Sequence, residues 1–185
     1  MRTLYHEVRE YLHKKNQKVF VVHRLDKDTS GLVLFAKNPK LKEMLQNNWL
    51  RYTREYIAVV EGKLTKLKDT LRFYLQEDKT HRVYVSDKGL SSVTEYEVLD
   101  TNKTQSLIKV RIKTGRKNQI RASLSYIGNP IVGDKKYEAR INSLSRLGLH
   151  ANRLVIKHPV TNKEMEFTCK APKVFYLGFK DYKEE

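Results

Sequence analysis

Inward-facing and polar side chains alternate with a period of two in four consecutive segments between residues 71 and 113. Successive side chains of a strand point to opposite faces of a sheet, so this period is typical of strands with one solvated face. The inward positions are Leu71, Phe73 and Leu75; Val83 and Val85; Thr94, Tyr96 and Val98; and Ile108, Val110 and Ile112. The pattern predicts an antiparallel or mixed sheet, and the solvated face of its last strand carries only basic residues.

Other elements are expected to flank this sheet. Apolar residues at helical spacing predict three helices, over residues 3–15, from Asn38-Pro39 onward, and over 118–127 before Gly128. The remaining predicted strands cover residues 19–22, 32–36 and 55–60, with a hairpin formed by 149–156 and 164–169. We therefore predict an α+β fold, with a mixed, mostly antiparallel central sheet, flanking helices and a catalytic cleft.

The length and the cysteine content narrow the class of protein further. A chain of 185 residues fits a single compact domain. Its apolar share of 39% excludes a disordered chain, and no apolar run approaches the ~20 residues that a membrane helix needs. Cys169 stands alone and has no partner for an internal disulfide, which indicates a reducing, cytoplasmic setting. We expect a monomer without a membrane partner.

Positive charge is concentrated in one part of the sequence. The chain carries a formal net charge of +16, and the 63 residues from Thr101 to Lys163 contain fourteen basic but only two acidic residues, Asp134 and Glu138. A field of one sign repels itself unless a polyanion screens it, and nucleic acid is the common cytoplasmic polyanion. The alternative is a surface charge that serves solubility, for which mixed signs are the better composition. The charge thus favours a nucleic-acid partner.

Asp26 is the first candidate for chemistry. It lies in a polar segment, residues 23–31, between two predicted strands, so its backbone is held by a rigid scaffold. Arg24 and Lys27 are close in sequence, and nearby cations favour an ionised carboxylate. Such a carboxylate repels phosphate in a basic protein, which suggests a nucleophile, a general base or a metal ligand. The alternative interpretation is a turn residue that caps the loop.

A metal site is not favoured by the sequence. His150 and His158 are the only histidines that suggest a pair of ligands, and neither has a cysteine or a carboxylate cluster near it. Structural histidines are therefore the preferred interpretation, and we expect no metal.

Five segments together resemble a known family. Residues 23–32 read His-Arg-Leu-Asp-Lys-Asp-Thr-Ser-Gly-Leu, and segments 55–62, 115–121, 128–134 and 147–151 follow in order, as does His158-Pro159. The first of them resembles the catalytic loop of the RluA-type RNA pseudouridine synthases, and the others resemble later motifs of that family. The resemblance extends from about Val21 to Pro172.

The resemblance implies roles for individual residues. Asp26 matches the essential aspartate, which attacks the target uridine either at the anomeric carbon of the ribose or at C6 of the base. Tyr56 matches a tyrosine that stacks on the target base and assists proton transfer from C5. Arg121 matches the basic residue that pairs with the aspartate, and Ile120 an apolar residue beside the tyrosine. Arg24 matches a residue that fills the gap left by the flipped nucleotide.

The resemblance also implies the substrate. It predicts isomerisation of specific uridines in structured RNA without a cofactor or a metal. Ribosomal RNA is the preferred substrate, and transfer RNA is the alternative. Arg116 and Lys117 precede a predicted helix and are expected to contact RNA phosphates. The alternative is a catalytically silent RNA-binding module derived from a truncated synthase.

The chain departs from the family pattern at three places. The family usually has Thr-His where this chain has Lys117-Asn118, and a histidine where Ser123 stands, so altered RNA contacts are expected. Family members also begin this domain with a strand and a Lys-Pro loop, whereas Met1 nearly opens the first helix here. The sequence therefore predicts one catalytic domain, 1–185, without that first strand and loop or a separate N-terminal RNA-binding domain, either as a fragment or as a minimal member.

Overall fold

The computed structural model describes residues 3–180 and residue 182; Met1, where the first predicted helix nearly opens, lies outside this range. The helices are α1 (Leu4–His13), α2 (Pro39–Asn47) and α3 (Gln119–Tyr126). The strands are β1 (Phe20–Val21), β2 (Ser30–Gly31), β3 (Phe35–Ala36), β4 (Thr53–Glu61), β5 (Lys68–Glu77), β6 (Val83–Ser86), β7 (Leu90–Thr101), β8 (Gln105–Ile112), β9 (Leu149–Lys157) and β10 (Glu164–Thr168). Short 3-10 turns cover Trp49–Arg51, Lys135–Tyr137 and Lys173–Phe175.

One large sheet organises the molecule. Its strands follow the order β10-β9-β4-β8-β7-β5-β6, and every pair along this path is antiparallel. β2 adds to β9 in the parallel direction, so the sheet is mixed, while β1 and β3 form a separate two-stranded ribbon. The predicted mostly antiparallel α+β architecture is confirmed.

The two faces of the sheet carry different cores. On one face, α3 packs its Ile120 and Leu124 against Ala58, Ile108 and Val110. On the opposite face, the segment after β10 covers the sheet with Phe175 and Phe179, which pack on strand residues that include Val59 and Leu107. Burial of each large apolar side chain on these faces stabilises the fold by about 1.5–3 kcal/mol. Because both faces are covered, all four residues of β4 from Ile57 to Val60 are buried.

The predicted basic face of β8 exists, but it is largely paired. Lys109 bonds to Glu97 at 3.0 Å and Lys113 to Glu95 at 3.3 Å, both on the neighbouring strand β7. Arg111, the third basic residue of this face, donates to the hydroxyl of Thr53 at 3.1 Å. Strand pairing therefore brings carboxylates from outside residues 101–163 to lysines within that stretch.

The region before β4 differs from the prediction in detail. Instead of a continuous strand over residues 32–36, only Phe35 and Ala36 form a strand, paired with β1. α1 and α2 form as expected, and their first turns are capped by the side chains of Thr3 and Asn38. No helix in the described part of the chain is long and apolar enough to cross a membrane.

Candidate active site

The loop of residues 23–31 is attached to β9 at its C-terminal end. Gly31 lies at φ +115, and a Cβ atom built there would stand 2.2 Å from the carbonyl oxygen of Ala151. Leu32 N–H donates to that same oxygen at 2.9 Å. Only glycine permits both this backbone angle and this close approach, which explains the glycine of the motif.

A side-chain network holds the same point of attachment. The hydroxyl of Ser30 lies 2.8 Å from Nδ1 of His150, and the guanidinium of Arg146 donates to the Ser30 oxygen at 2.6 Å. Nε2 of His150 lies 3.0 Å from the carbonyl oxygen of Cys169. Because burial lowers the pKa of His150, the ring is neutral at pH 7, donates from Nε2 and accepts from Ser30. His150 therefore has a structural role.

Asp26 and Arg121 form an ion pair at the centre of the site. Nη1 of Arg121 donates to Oδ2 of Asp26 at 3.2 Å. The remaining donors of Arg121 bind both oxygens of Asp134, each at 2.7 Å. Burial by itself lowers the pKa of Arg121, but the bonds to the two carboxylates outweigh it, and the net shift is upward. Arg121 is thus a fixed cation with one donor directed at Asp26.

Asn118 supplies a second donor to Asp26. Its amide nitrogen lies 2.6 Å from the same oxygen, Oδ2. Asn118 has a left-handed backbone, φ 49 and ψ 22, immediately before α3. Asparagine tolerates this region better than most residues.

Gln119 holds the loop that carries Asn118. Its side-chain oxygen accepts from the hydroxyl of Thr114 at 2.7 Å and from the backbone N–H of Arg116 at 3.0 Å. Its amide nitrogen donates to the carbonyl of Val93 and to the hydroxyl of Thr94, both at 3.0 Å. A buried side chain with all its groups satisfied fixes its surroundings well. The donors to Asp26 therefore lie on a rigid support.

Tyr56 lies on β4, on the face of the sheet that α3 covers. Its strand neighbour across the β8 pairing is Val110, a member of the core beneath α3. Burial raises the pKa of the Tyr56 hydroxyl to about 12; Arg54 opposes this shift and Asp26 adds to it. The phenol is therefore neutral at physiological pH.

These residues line one open cleft of about 300 Å³. Asp26, Tyr56 and Arg121 all contribute to its wall, and Arg24 and Ile120 do so as well. This volume lies at the lower end of the range for small-molecule pockets. Arg116 lines the same cleft, so the structure brings six of the sequence-predicted site residues together.

A larger basic groove of about 940 Å³ adjoins the cleft and shares Asp26, Arg24 and Arg121 with it. Eight basic residues line the groove: Arg24, Lys27, Arg116, Lys117, Arg121, Lys135, Lys136 and Arg146. Three acidic residues accompany them, namely Asp26, Asp28 and Asp134. A concave surface with this excess of positive charge concentrates polyanions near the cleft.

The two predicted phosphate contacts, Arg116 and Lys117, both lie on this groove, but neither is free of other interactions. Nε of Arg116 donates to the carbonyl of Ser91 at 3.1 Å. The ammonium group of Lys117 forms an ion pair with Glu77, which compensates part of its charge.

Several functional candidates were missed by the sequence reasoning. Asn118 and Asp134 lie in two of the segments that resemble the family, 115–121 and 128–134, but neither was assigned a role in the site. Arg54 is buried, donates to the carbonyls of Ile112 and Lys113, and lines the cleft beside Tyr56. Its position two residues before Tyr56 on β4 was the available signal, since alternate strand residues share a face.

His23, the first residue of the loop motif, is a structural residue in this arrangement. Its ring stacks on Trp49 at a centroid distance of 4.3 Å, and Nε2 accepts from the backbone N–H of Leu34 at 3.0 Å. Burial lowers the pKa of His23 to about 4, so the ring stays neutral at pH 7. His158 is equally structural, because its Nδ1 accepts from two backbone N–H groups of its own turn. No group of three or more possible metal ligands occurs among the described residues.

Comparison with known proteins identifies a family that this chain matches. Residues 3–126 match the model of a family described as RNA pseudouridylate synthase. The chain is 38% identical over 152 residues to the uncharacterized RNA pseudouridine synthase YhcT of Bacillus subtilis, covering 79% of this chain and 50% of that protein. It is 31% identical over 179 residues to the ribosomal large subunit pseudouridine synthase D of Blochmanniella floridana, covering 86% and 56%. The chain thus spans about half the length of these curated relatives.

A solved structure supports the fold. The human RNA pseudouridylate synthase domain containing 1 superposes with a TM-score of 0.78 at 23% identity, covering 92% of this chain and 74% of the human chain. The family model matches well over half of the chain, and the match includes the catalytic loop, Tyr56 and Arg121. The chain therefore belongs to the RNA pseudouridine synthase family, as the RluA-type motifs predicted.

Proposed function

We propose that this protein isomerises specific uridines in structured RNA to pseudouridine, with Asp26 as the nucleophile. The observation that carries the proposal is the position of the Asp26 carboxylate in an open cleft that Tyr56 also lines. Its Oδ2 lies 3.2 Å from Nη1 of Arg121. A carboxylate that is oriented and reachable is the requirement for covalent attack on a nucleotide.

The reaction begins with extrusion of the target nucleotide from its stack, at a cost of a few kcal/mol. Asp26 then attacks either the anomeric carbon of the ribose or C6 of the base. The N–C glycosidic bond breaks, the uracil turns within the cleft, and C5 forms the new bond to the ribose. The bond between Asp26 and the substrate breaks, which regenerates the carboxylate. C5 loses a proton and N1 gains one. The atoms of substrate and product are the same, so the reaction needs no oxidant, reductant or hydrolytic water.

Arg121 and Tyr56 support this chemistry in different ways. The guanidinium of Arg121 is held by Asp134 on one side and orients Asp26 on the other. Tyr56 offers an aromatic face on which any pyrimidine can stack, and such stacking contributes about 1–3 kcal/mol per base. Ile120 lines the same cleft and supplies apolar contact beside the ring. Because the Tyr56 hydroxyl is neutral, we assign it stacking and hydrogen bonding rather than the role of an ionised base.

Binding of the surrounding RNA falls to the basic groove. Arg24 is exposed and lines both the cleft and the groove, so it is placed to enter the gap that the flipped nucleotide leaves. Arg116 and Lys117 lie on the groove wall, where they contact phosphates that flank the target. These contacts offset the cost of base extrusion.

We infer that ribosomal RNA is the substrate rather than transfer RNA. Relatives named ribosomal large subunit pseudouridine synthase D, from Blochmanniella floridana and Salmonella typhimurium, share 31% and 32% identity with this chain. The size of the groove, about three times the cleft volume, suits a structured RNA segment rather than a free nucleotide.

The test is to incubate the purified protein with unmodified large-subunit ribosomal RNA and, separately, with a pool of unmodified transfer RNAs, and to map pseudouridine in both. We expect conversion at discrete uridines of the ribosomal RNA. Conversion confined to transfer RNA would contradict the choice of substrate. RNA binding without conversion of any uridine would instead support the silent RNA-binding module.

A further inference from the structure

The two donors that reach Asp26 converge on a single oxygen. Asn118 donates from its amide nitrogen to Oδ2 at 2.6 Å, and Arg121 donates from Nη1 to the same atom at 3.2 Å. Within the described part of the chain, Oδ1 accepts no hydrogen bond. The Asp26 side chain is 26% exposed, so the carboxylate is also within reach of a ligand in the cleft.

The orientation of the Asn118 amide is fixed by its second partner. Its Oδ1 lies 3.4 Å from the ammonium nitrogen of Lys136, which also donates to the backbone carbonyl of His81 at 2.6 Å. A flipped amide would place its oxygen against the carboxylate of Asp26 and its NH2 group against an ammonium. Both contacts would be repulsive, so the arrangement with the nitrogen toward Asp26 is the stable one.

The hydrogen bond from Asn118 to Asp26 is not part of a helix cap. The side chain of Asn118 makes no capping hydrogen bond to α3, although the residue immediately precedes that helix. It is nevertheless 92% buried, and its short left-handed turn directs it into the site. The buried amide is held in one orientation, because its oxygen faces a lysine and its nitrogen faces a carboxylate.

Two donors are needed because Arg121 alone cannot fix the carboxylate. Asp134 binds Nε and Nη2 of Arg121 in a bidentate pair, and Arg121 reaches Asp26 through Nη1 only. A single bond to Oδ2 permits the carboxylate to turn about it, whereas a second donor from another direction defines the carboxylate plane. The donors also draw negative charge onto Oδ2 and leave the lone pairs of Oδ1 available.

We propose that Asn118 is a positioning residue that, together with Arg121, holds Asp26 through Oδ2 and leaves Oδ1 as the oxygen that attacks the uridine. This inference rests on the proposed function of Asp26 as nucleophile. Correct orientation of reacting atoms accounts for a large part of enzymatic rate enhancement, so loss of the Asn118 amide should lower the rate of the chemical step. Binding of RNA does not depend on this bond and should be unaffected.

The test is Asn118→Gly, because glycine keeps the left-handed backbone without strain and removes only the side chain. The matched control is Asn162→Gly, which makes the same change at another left-handed asparagine, φ 57, in the exposed β9–β10 turn. Under single-turnover conditions we expect the conversion rate of Asn118→Gly to fall about 10–100-fold. The RNA dissociation constant should stay within about twofold, and the control should match wild type in both.

Two outcomes would overturn the inference while leaving the proposed function intact. One is an Asn118→Gly variant that converts uridine at the wild-type rate. The other is a loss of RNA affinity that accounts for the whole decrease in rate. A wild-type protein that converts no uridine is a distinct result, which contradicts the proposed function itself.

A second measurement addresses the bond directly and needs no activity. The side-chain NH2 signals of Asn118 are identified in the NMR spectrum by their loss in Asn118→Gly. We expect these signals to shift in Asp26→Ala, because the acceptor is gone. Unchanged signals would overturn the inference whatever the kinetics show.

Discussion

At the scale of single residues, Asp134, Arg121 and Asp26 form a line of alternating charges that leads from the interior to the cleft. The exposed fractions of their side chains are 0%, 9% and 26%. Asp134 compensates the buried guanidinium, so the pair can be buried at acceptable cost. Asp26 is the most exposed of the three, in keeping with the proposal that it carries the chemistry while the other two support it.

The first prediction concerns this line of charges. Arg121→Met leaves the fully buried carboxylate of Asp134 without its cation, so the free energy of unfolding should fall by about 3–5 kcal/mol. Denaturant titration measures this loss. Arg82→Met is the matched control, because Arg82 lies over the same Tyr137 ring but pairs with the exposed Glu138. Equal losses in the two variants would refute the anchoring role of Asp134.

The second prediction uses the pKa of Tyr56, which burial raises to about 12. The phenol is protonated below that pH, so a site that works with the neutral form should convert uridine at a constant rate between pH 7 and 8.5. Tyr56→Phe should show the same flat profile. If an ionised phenolate were the active species, the wild-type rate would instead rise about tenfold per pH unit in this range, and the variant rate would not.

The residues of this site differ in how far they could be predicted from the sequence. Asp26, Tyr56 and Arg121 stand in recognisable motifs, so their candidacy needed no structure. Asn118 contacts a residue 92 positions away, and no local pattern reveals such a pair. Asp134 was visible as a charge, but its burial depends on how the loop before β9 folds over α3.

At the scale of secondary-structure elements, the active-site loop depends on β9 more than on the strands next to it in sequence. The prediction placed the loop between two strands, whereas β1 and β3 are two-residue strands outside the main sheet. The firm attachment is the parallel pairing of Ser30 and Gly31 with His150 and Ala151. The second end of the site is fixed by α3, which starts directly after Asn118.

The third prediction tests this attachment. Gly31→Ala should separate β2 from β9, because the added Cβ meets the Ala151 backbone at 2.2 Å. We expect a lower melting temperature and a conversion rate that falls more than about tenfold, since a small displacement of a reacting group has large kinetic effects.

Gly128→Ala is the control for this prediction. Gly128 also has a positive φ, +84, but its added Cβ would meet nothing within 4 Å. The loss of stability in Gly128→Ala is then limited to the strained backbone conformation, about 1–2 kcal/mol. The folded variant should still convert uridine. A Gly31→Ala variant that behaves like this control would contradict the role of the β2–β9 contact.

Long elements with clear periodicity were predictable, and short ones were not. The four alternating segments became β5, β6, β7 and β8, and the hairpin of β9 and β10 formed where expected. β2 has two residues and no periodicity, so its parallel pairing could not be read from the sequence. The prediction of a continuous strand over residues 32–36 failed because an apolar run does not distinguish a strand from other buried segments.

At the scale of the whole molecule, which carries a net charge of +16, two basic surfaces differ in how far their charge is compensated. On the solvated face of β8, Lys109 and Lys113 are paired with Glu97 and Glu95. In the basic groove, basic residues outnumber acidic ones by eight to three. The sequence showed the excess charge, but only the pairing across strands shows where that charge is compensated.

The fourth prediction follows from this division. Neutralising phosphates releases counterions, so each lysine that contacts RNA adds about 0.7–0.9 to the slope of the logarithm of the affinity against that of salt concentration. Lys27→Gln with Lys135→Gln should lower this slope, because both residues line the groove. Lys109→Gln with Lys113→Gln removes the same charge from the opposite face and should leave it unchanged. Equal effects of the two double variants would contradict the assignment of the RNA-binding surface.

The most direct test of the central claim replaces Asp26 by asparagine. The two side chains have nearly the same shape, so RNA should bind within about threefold of wild type, while the loss of the nucleophile should lower pseudouridine formation by at least about 10³-fold. Both quantities come from one preparation, by RNA titration and by mapping pseudouridine in ribosomal RNA after incubation. An Asp26→Asn protein that forms pseudouridine at the wild-type rate would contradict the account.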